Sequence, residues 1–498
     1  MGGRRPIGSP VRRRPVLTRA LCGALALAVA GAASAQPRVD LALVDGTVIT
    51  VDGVDTVAQA IAIGGGAIVA VGTSAEIRAR AGAGARVIDL AGKTVIPTLI
   101  STHVHPGFQK GVTYVAANYT RDTVINDLNR ALYFGISVVQ SQGIERGDVL
   151  YRIRAEQGAG TLGGARLLVA GRGIGAPNAG PGAAAYAGIA YEIITEAEAR
   201  RAVEELAARD VDIVKIWVDD RSGRAPSLSP ALYRAVIDAA HQRDLRVNAH
   251  VFYHTDAEGL VAAGIDGLVH LVRDVEMSDA LIAEIVERNV YVNANLSSPR
   301  RATQVGTPPW LTSVDPMLQL LTESVAPDVI AKMEAAFRQR DPQVAADAGE
   351  RYAILERSLV KLSAAGAKLV LGADTGVEDH LFGLAEHLEL QAMVDADMTP
   401  AQVLVAATSR AAEYLRLDDR GSLVPGKRAD LLVLDASPLD DIVNTRRISR
   451  TFINGIEIDR VALRAQSAFQ RRGRGVRIRR RSAREKPASP RCSPSGRL

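Results

Sequence analysis

The sequence predicts an α/β fold: a (β/α)8, TIM-like barrel with a composite β-sandwich domain built from N- and C-terminal segments. Three observations carry that expectation. Eight short apolar runs alternate with helical patterns across residues 97–420, short glycine-punctuated strands precede them, and strand-like patterning returns from residue 421. Apolar strands alternating with helices predict a parallel barrel, whose functional residues gather at the C-terminal ends of the strands. With 498 residues, 47% hydrophobic and 4% aromatic, the chain has apolar surface for a large core, which excludes wholesale disorder.

Residues 1–35 read as a secretory signal peptide. Arg4 to Arg19 form a positive region, Ala20 to Gly31 an apolar run, and Ala33-Ser34-Ala35 a cleavage site before Gln36. The apolar run is shorter than the ~20 residues a membrane span needs, so no membrane anchor is expected. Arg13-Arg14-Pro15-Val16-Leu17 loosely resembles a twin-arginine export signal. The expected location is periplasmic or secreted.

Residues 36–96 form the N-terminal part of the β-sandwich. Val39–Val44 and Thr47–Thr50 flank Asp45-Gly46, which predicts a hairpin, and strands at Ala60–Ile63, Ala67–Val71 and Arg86–Asp89 follow. Within residues 97–420 the eight candidate strands are Leu99–Val104, Ser137–Gln140, Arg166–Ala170, Ile213–Val218, Arg246–Ala249, Gly267–Leu271, Val290–Asn295 and Lys368–Ala373. Thr195-x-x-Glu198 is a capping box before the helix Ala199–Ala208, and Ser229-Pro230 opens one running to about Arg243. Met277–Arg288 reads as another helix, and Met333–Leu362 as an extra helical excursion over one face. Residues 421–463 complete the sandwich with strands at Ala429–Leu434 and Ile448–Ile453, a turn at Asn454-Gly455, and Ile456–Ile458.

Residues 464–498 hold eleven arginines with Lys486 and Glu485 and no periodic apolar face, and read as a basic disordered tail. This tail and the signal dominate the net charge of +5. They contribute +11 and +6, leaving −12 for residues 36–463. An acidic body with few aromatics opposes nucleic-acid binding, despite a pI near 9.2. Cys22 and Cys492, the only cysteines, sit at opposite ends, so neither a disulfide framework nor a cysteine metal site is available.

Four of the eight histidines fall at the ends of three predicted barrel strands. His103 and His105 lie two apart, so their side chains project to one side, as two imidazoles on one metal require. His250 and His270 each close a strand. Lys215 lies inside the apolar run Ile213–Val218, and Asp374 ends Leu369–Asp374. An unpaired buried ammonium costs several kcal/mol, so Lys215 needs a partner such as Asp374, or a modification such as carboxylation by CO2.

These residues together resemble the amidohydrolase superfamily, in particular its imidazolonepropionase-related and prolidase-like members. The resemblance rests on Val95–His105, Val214-Lys215-Ile216-Trp217, His250, His270, Gly372-Ala373-Asp374 and the closing stretch Gly421–Leu431. It implies two divalent metal ions, zinc suiting the ligands best. His103 and His105 would hold the more buried ion, His250 and His270 the more exposed one, and Lys215 carboxylated by CO2 would bridge both. Asp374 would bind the first ion, contact the nucleophilic water and act as the catalytic base and acid. Thr98 and Ser101 depart from the glycine and aspartate that the family commonly has there.

The function expected is that of a metal-dependent amidohydrolase cleaving an amide-type C–N bond of a small molecule or dipeptide-like substrate. Lactone, ester or organophosphate hydrolysis and deamination are the enzymatic alternatives. Deaminases of this superfamily generally use one metal and lack the strand-four lysine. A binding protein on the same scaffold is the non-enzymatic alternative, and a homo-oligomer stays open. Tyr253, His254 and Arg273 are candidate substrate-binding residues, with pairing to Asp274 as the alternative for Arg273. Gly173-Ile174-Gly175 lacks the last glycine of a dinucleotide fingerprint and reads as a loop. His241 and His387 read as surface residues, His380 as a pocket-lining candidate, and Trp310 as a lid or packing residue.

Overall fold

The two terminal segments of the chain build two sheets that share one apolar cluster. The computed structural model describes residues 38–468 except Asp55 and Ala183, with residues 465–468 as backbone only. The expected signal over residues 1–35 lies outside the described residues, as does the tail beyond 468. A helix, Arg460–Ala468, runs across the position expected as the boundary at 464. Among the described residues no helix is long and apolar enough to cross a membrane.

One sheet has the strand order 67–72, 60–64, 41–44, 86–89, and the other the order 456–457, 448–453, 431–434, 94–97, 47–49, 57–58. Leu431–Leu434 pairs antiparallel with Thr94–Pro97, so residues over 300 positions apart in the chain meet in one ladder. Leu43, Ile61 and Ile68 from the first sheet pack with Val48, Val95, Leu431 and Phe452 from the second.

The hairpin expected at Asp45-Gly46 is not formed. Leu41–Val44 pairs with Ala60–Gly64 and Arg86–Asp89, whereas Thr47–Ile49 pairs with Val57–Ala58 and Thr94–Pro97. The reason is burial on both faces. Leu41 and Leu43 face the shared cluster, and Ala42 and Val44 pack with Ile77 and Ala81 of the helix Ser74–Ala81. A strand apolar on both faces belongs inside a sheet rather than at an exposed hairpin. The Asn454-Gly455 turn does form as expected, with both residues at positive φ between Ile448–Ile453 and Ile456–Glu457.

All eight expected parallel strands are present: β1 (Leu99–Val104), β2 (Ile136–Ser141), β3 (Arg166–Leu168), β4 (Val214–Val218), β5 (Val247–Val251), β6 (Gly267–Val269), β7 (Tyr291–Asn293) and β8 (Lys368–Val370). They form two parallel sheets, β1 to β3 and β4 to β8, not one continuous closed ladder. On one side the chain past β8 reaches β1, where Thr102 N–H donates to the Leu371 carbonyl at 2.8 Å and His105 N–H to that of Thr375 at 2.7 Å. On the other side, Asp212 N–H donates to the Val169 carbonyl at 2.8 Å, just before β4 and just after β3.

The capping box of Thr195 and Glu198 forms at the start of Glu196–Ala208, and Pro230 opens Pro230–His241. The helical excursion between β7 and β8 includes Pro327–Arg338 and Pro342–Ala364. Trp310 packs edge-on against Phe337 there, as a buried core residue. Thr98 and Ser101 are both buried; the Thr98 hydroxyl meets that of Ser137 at 2.6 Å.

Candidate active site

Pleated alternation in β1 puts His103 and His105 on one side, and the chain past β8 brings Asp374 against them. His105 Nε2 lies 2.9 Å and His103 Nε2 3.3 Å from Asp374 Oδ1, and the two Nε2 atoms are 3.2 Å apart. The three ligand atoms lie within 4.8 Å of one another. Burial drives the His103 imidazolium well below its ordinary range. Burial would raise the Asp374 carboxyl, but the neighbouring His103, His105 and His270 outweigh it and hold it well below the carboxylate range.

Three residues at this end of the strands have left-handed backbone: His270 (φ +84°), Asn295 (φ +51°) and Asp374 (φ +55°). Such conformations cost a non-glycine residue on the order of 1 kcal/mol or more, and they concentrate where side chains must be aimed.

His250 and His270 come from β5 and the end of β6. Their ring centroids are 4.7 Å apart, and His270 lies 5.2 Å from His103. His250 Nε2 is held 2.9 Å from Asp219 Oδ2, which leaves its Nδ1 as the free ring nitrogen. Asp219 also accepts from the Arg221 side chain at 2.9 Å and backbone at 2.8 Å. Burial opposes ionisation of Asp219, but the His250 hydrogen bond and both charges outweigh it, bringing its carboxyl down to about 2. His250 itself is driven down to about 3, first by burial.

Lys215, in β4, is 1% exposed. Its ammonium forms no ion pair with Asp374, whose partners are His103 and His105. Its Nζ lies 5.9 Å from the centroid of the Trp217 ring. Burial pushes the Lys215 amine down to about 7.

A cavity of about 300 Å3 opens over these groups, and His103, His105, Lys215, His250, His270 and Asp374 all line it. Arg273 lines it too, in contact with the Phe252 ring at 5.9 Å and with no carboxylate within ion-pair distance among the described residues. The alternative pairing with Asp274 is not formed; that carboxylate accepts from His254 N–H at 2.9 Å. Tyr253 and His254 are held away from the cavity lining. The Tyr253 hydroxyl donates to Asp220 at 2.8 Å, and His254 Nε2 meets Ser278 at 3.1 Å.

Asp219, Arg221 and Asn295 escaped the sequence reading, as did the cavity-lining Tyr114, Tyr186 and Arg301. The one available signal was position, since Asp219 immediately follows a strand and Asn295 is the last residue of the expected strand Val290–Asn295. His387 corrects the surface expectation: it is buried, 3.0 Å from Thr445 Oγ1 and 2.9 Å from the Phe134 carbonyl. His241 is half-exposed and paired with Asp266. His380 is buried with neither ring nitrogen hydrogen-bonded, but it is not among the residues lining the cavity.

The model of the amidohydrolase family matches residues 94–457. A prolidase-like protein of known structure from Bifidobacterium longum has a TM-score of 0.66 at 25% identity, covering 86% of this chain and 100% of that one. A Xaa-Pro dipeptidase with methionine bound in its active site has a TM-score of 0.66 at 21% identity, covering 84% and 99%; at that identity the likeness concerns the fold. The N-substituted formamide deformylase of Arthrobacter pascens is 44% identical over 66 residues, 13% of this chain and 12% of that protein. An uncharacterized protein of Mycobacterium bovis is 38% identical over 105 residues, 20% of this chain and 28% of that protein. The matched stretches thus span less than a third of either curated relative.

Proposed function

The chain belongs to the amidohydrolase family, and from that premise we propose that it hydrolyses an amide-type C–N bond in a small or dipeptide-like substrate that carries a carboxylate. The observation that carries this reading is the convergence of His103, His105 and Asp374 in one cavity with the buried Lys215. Imidazole nitrogens and a carboxylate oxygen suit a divalent ion, zinc best of all. His103, His105 and Asp374 would hold one ion, and His250 and His270 a second, with carboxylated Lys215 between them. When bound, such a pair supplies Lewis acidity toward the substrate carbonyl and lowers the pKa of water.

The chain's own residues do the rest. Burial favours the neutral Lys215 amine, whose Nζ lone pair adds to the carbon of CO2. An N–C bond forms as one C=O π bond of CO2 opens onto oxygen, the nitrogen gives one proton to solvent water in the cavity, and the product is a carbamate anion. Asp374, held ionised by the neighbouring histidines, takes a proton from the attacking water and gives it to the leaving nitrogen. Arg273, which lines the cavity with no carboxylate in ion-pair distance among the described residues, binds the substrate carboxylate. We assign substrate contact to Arg273 rather than to Tyr253 and His254, whose side chains are engaged with Asp220 and Ser278. In the same proposal the two parallel sheets act as one (β/α)8 barrel, the terminal sheets form its composite sandwich, and the signal over residues 1–35 exports the enzyme.

The test is metal analysis of protein purified with divalent ions and bicarbonate, alongside a screen of N-acyl amino acids, dipeptides and lactones. Two metals per chain and turnover of amides are expected. Well below two metals under those conditions would sink the binuclear site, and turnover of lactones alone would sink the C–N assignment.

A further inference from the structure

We propose that Asn295 is a positioning residue that binds both halves of the site, accepting hydrogen bonds on its side-chain oxygen from Nδ1–H of His103 and Nδ1–H of His270. The inference rests on the metal-binding reading above. The carboxamide of Asn295 stands 2.9 Å from each of these Nδ1 atoms, with its nitrogen facing both. Its oxygen is buried without any hydrogen-bond partner. The two ends of a carboxamide are nearly isosteric, so which end faces a ring follows from the hydrogen bonds it must make.

Chemistry decides that orientation once a cation is to be held. A histidine that binds a metal through Nε2 needs its lone pair there, and so carries its proton on Nδ1. Two Nδ1–H donors require an acceptor between them. Turning the carboxamide about its own axis puts the orphaned oxygen, with its two lone pairs, against both donors. Each ring is then locked in the tautomer that presents Nε2 to the cavity.

The backbone holds Asn295 for this task. Its φ of +51° lies in the region that asparagine tolerates better than most residues. The next two amides, Leu296 N–H and Ser297 N–H, donate to the buried Glu389 carboxylate at 2.8 and 2.6 Å. Asn293, two residues earlier and on the same side, is anchored to Thr102 Oγ1 at 2.7 Å. The carboxamide therefore arrives from a fixed segment, and because His103 and His270 belong to different metal subsites, it couples them.

The experiment is a zinc titration of metal-free protein against a competing chelator, for wild type, Asn295→Leu and Asn295→Asp. Asn295→Leu removes the acceptor at similar volume and should weaken zinc binding by roughly 10–100-fold. Asn295→Asp can only accept and should keep near-wild-type affinity. If Asn295→Asp binds as poorly as Asn295→Leu, or Asn295→Leu binds as well as wild type, the inference is wrong. Nitrogen-15 NMR of histidine-labelled, zinc-loaded wild type gives an answer that does not depend on how the variants fold. Nδ1-protonated rings at His103 and His270 are expected, and Nε2-protonated rings would overturn the proposal. Wild type that binds no zinc would overturn the functional reading and this inference together, whereas zinc-binding wild type with an unaffected Asn295→Leu overturns the inference alone.

Discussion

The two halves of the site are built differently. His103, His105 and Asp374 already meet within hydrogen-bond distance, so encoded side chains alone bring three ligand atoms together. Across the cavity, His250 and His270 contact each other only as rings, His250 leans on Asp219, and Lys215 forms no ion pair among the described residues. The first half is complete as translated. The second is organised by an outer carboxylate, Asp219, and by Lys215, which in the proposed reading works as its carbamate. The difference teaches that, apart from the link through Asn295, the two halves should fail separately.

The largest effect is expected from Lys215→Ala. It should cost roughly 100-fold or more in kcat/KM, beyond the range of an outer partner. It should also remove most of the second metal while His103, His105 and Asp374 keep the first. Metal content and amide turnover measured together check this, and an unchanged hydrolysis rate would return Lys215 to a structural role.

Asp219→Asn should weaken the second metal about 10–100-fold and spare the first, because of the four histidines and Asp374 it touches His250 alone, its other partner being Arg221. Equal weakening of both, read from a stepwise chelator titration, would erase the proposed independence.

Arg273→Met should raise KM for carboxylate-bearing substrates about 10-fold or more, the share of one charge-assisted hydrogen bond, with kcat little changed. Steady-state kinetics with matched neutral amides gives the comparison. An equal loss on neutral amides would remove Arg273 from substrate recognition.

The effect furthest from the chemistry is on the acid stability of the metal-free protein. His250 and His387 are each driven to about 3, first by burial, whereas unfolded histidines protonate near 6.5. Between those values the unfolded state binds the extra proton, so stability falls as pH drops from about 6.5 toward 3, by up to ~1.4 kcal/mol per pH unit for each such histidine. Thermal midpoints across that range check the slope, and His387→Gln should flatten it without touching the site. A midpoint independent of pH would show that these rings are not held neutral.

The sequence alone determined the eight strands, the ligand candidates and the starts of the helices at Thr195 and Ser229, because each is a local pattern. An apolar run, a strand-end histidine or a Thr-x-x-Glu box carries its meaning within a few residues. Only the tertiary structure decided what lies between distant segments. It sent Leu41–Val44 and Thr47–Ile49 to different sheets because both faces of the former are buried, a fact set by the helix Ser74–Ala81. It buried His387 between Phe134 and Thr445, residues 253 and 58 positions away. It left Arg273 without Asp274, and it placed Asp219 and Asn295 behind the histidines they support. Ligand types are written in side-chain chemistry, which sequence displays. Partnership depends on distance and on which polar groups are left unsatisfied, and those arise only when the chain is folded.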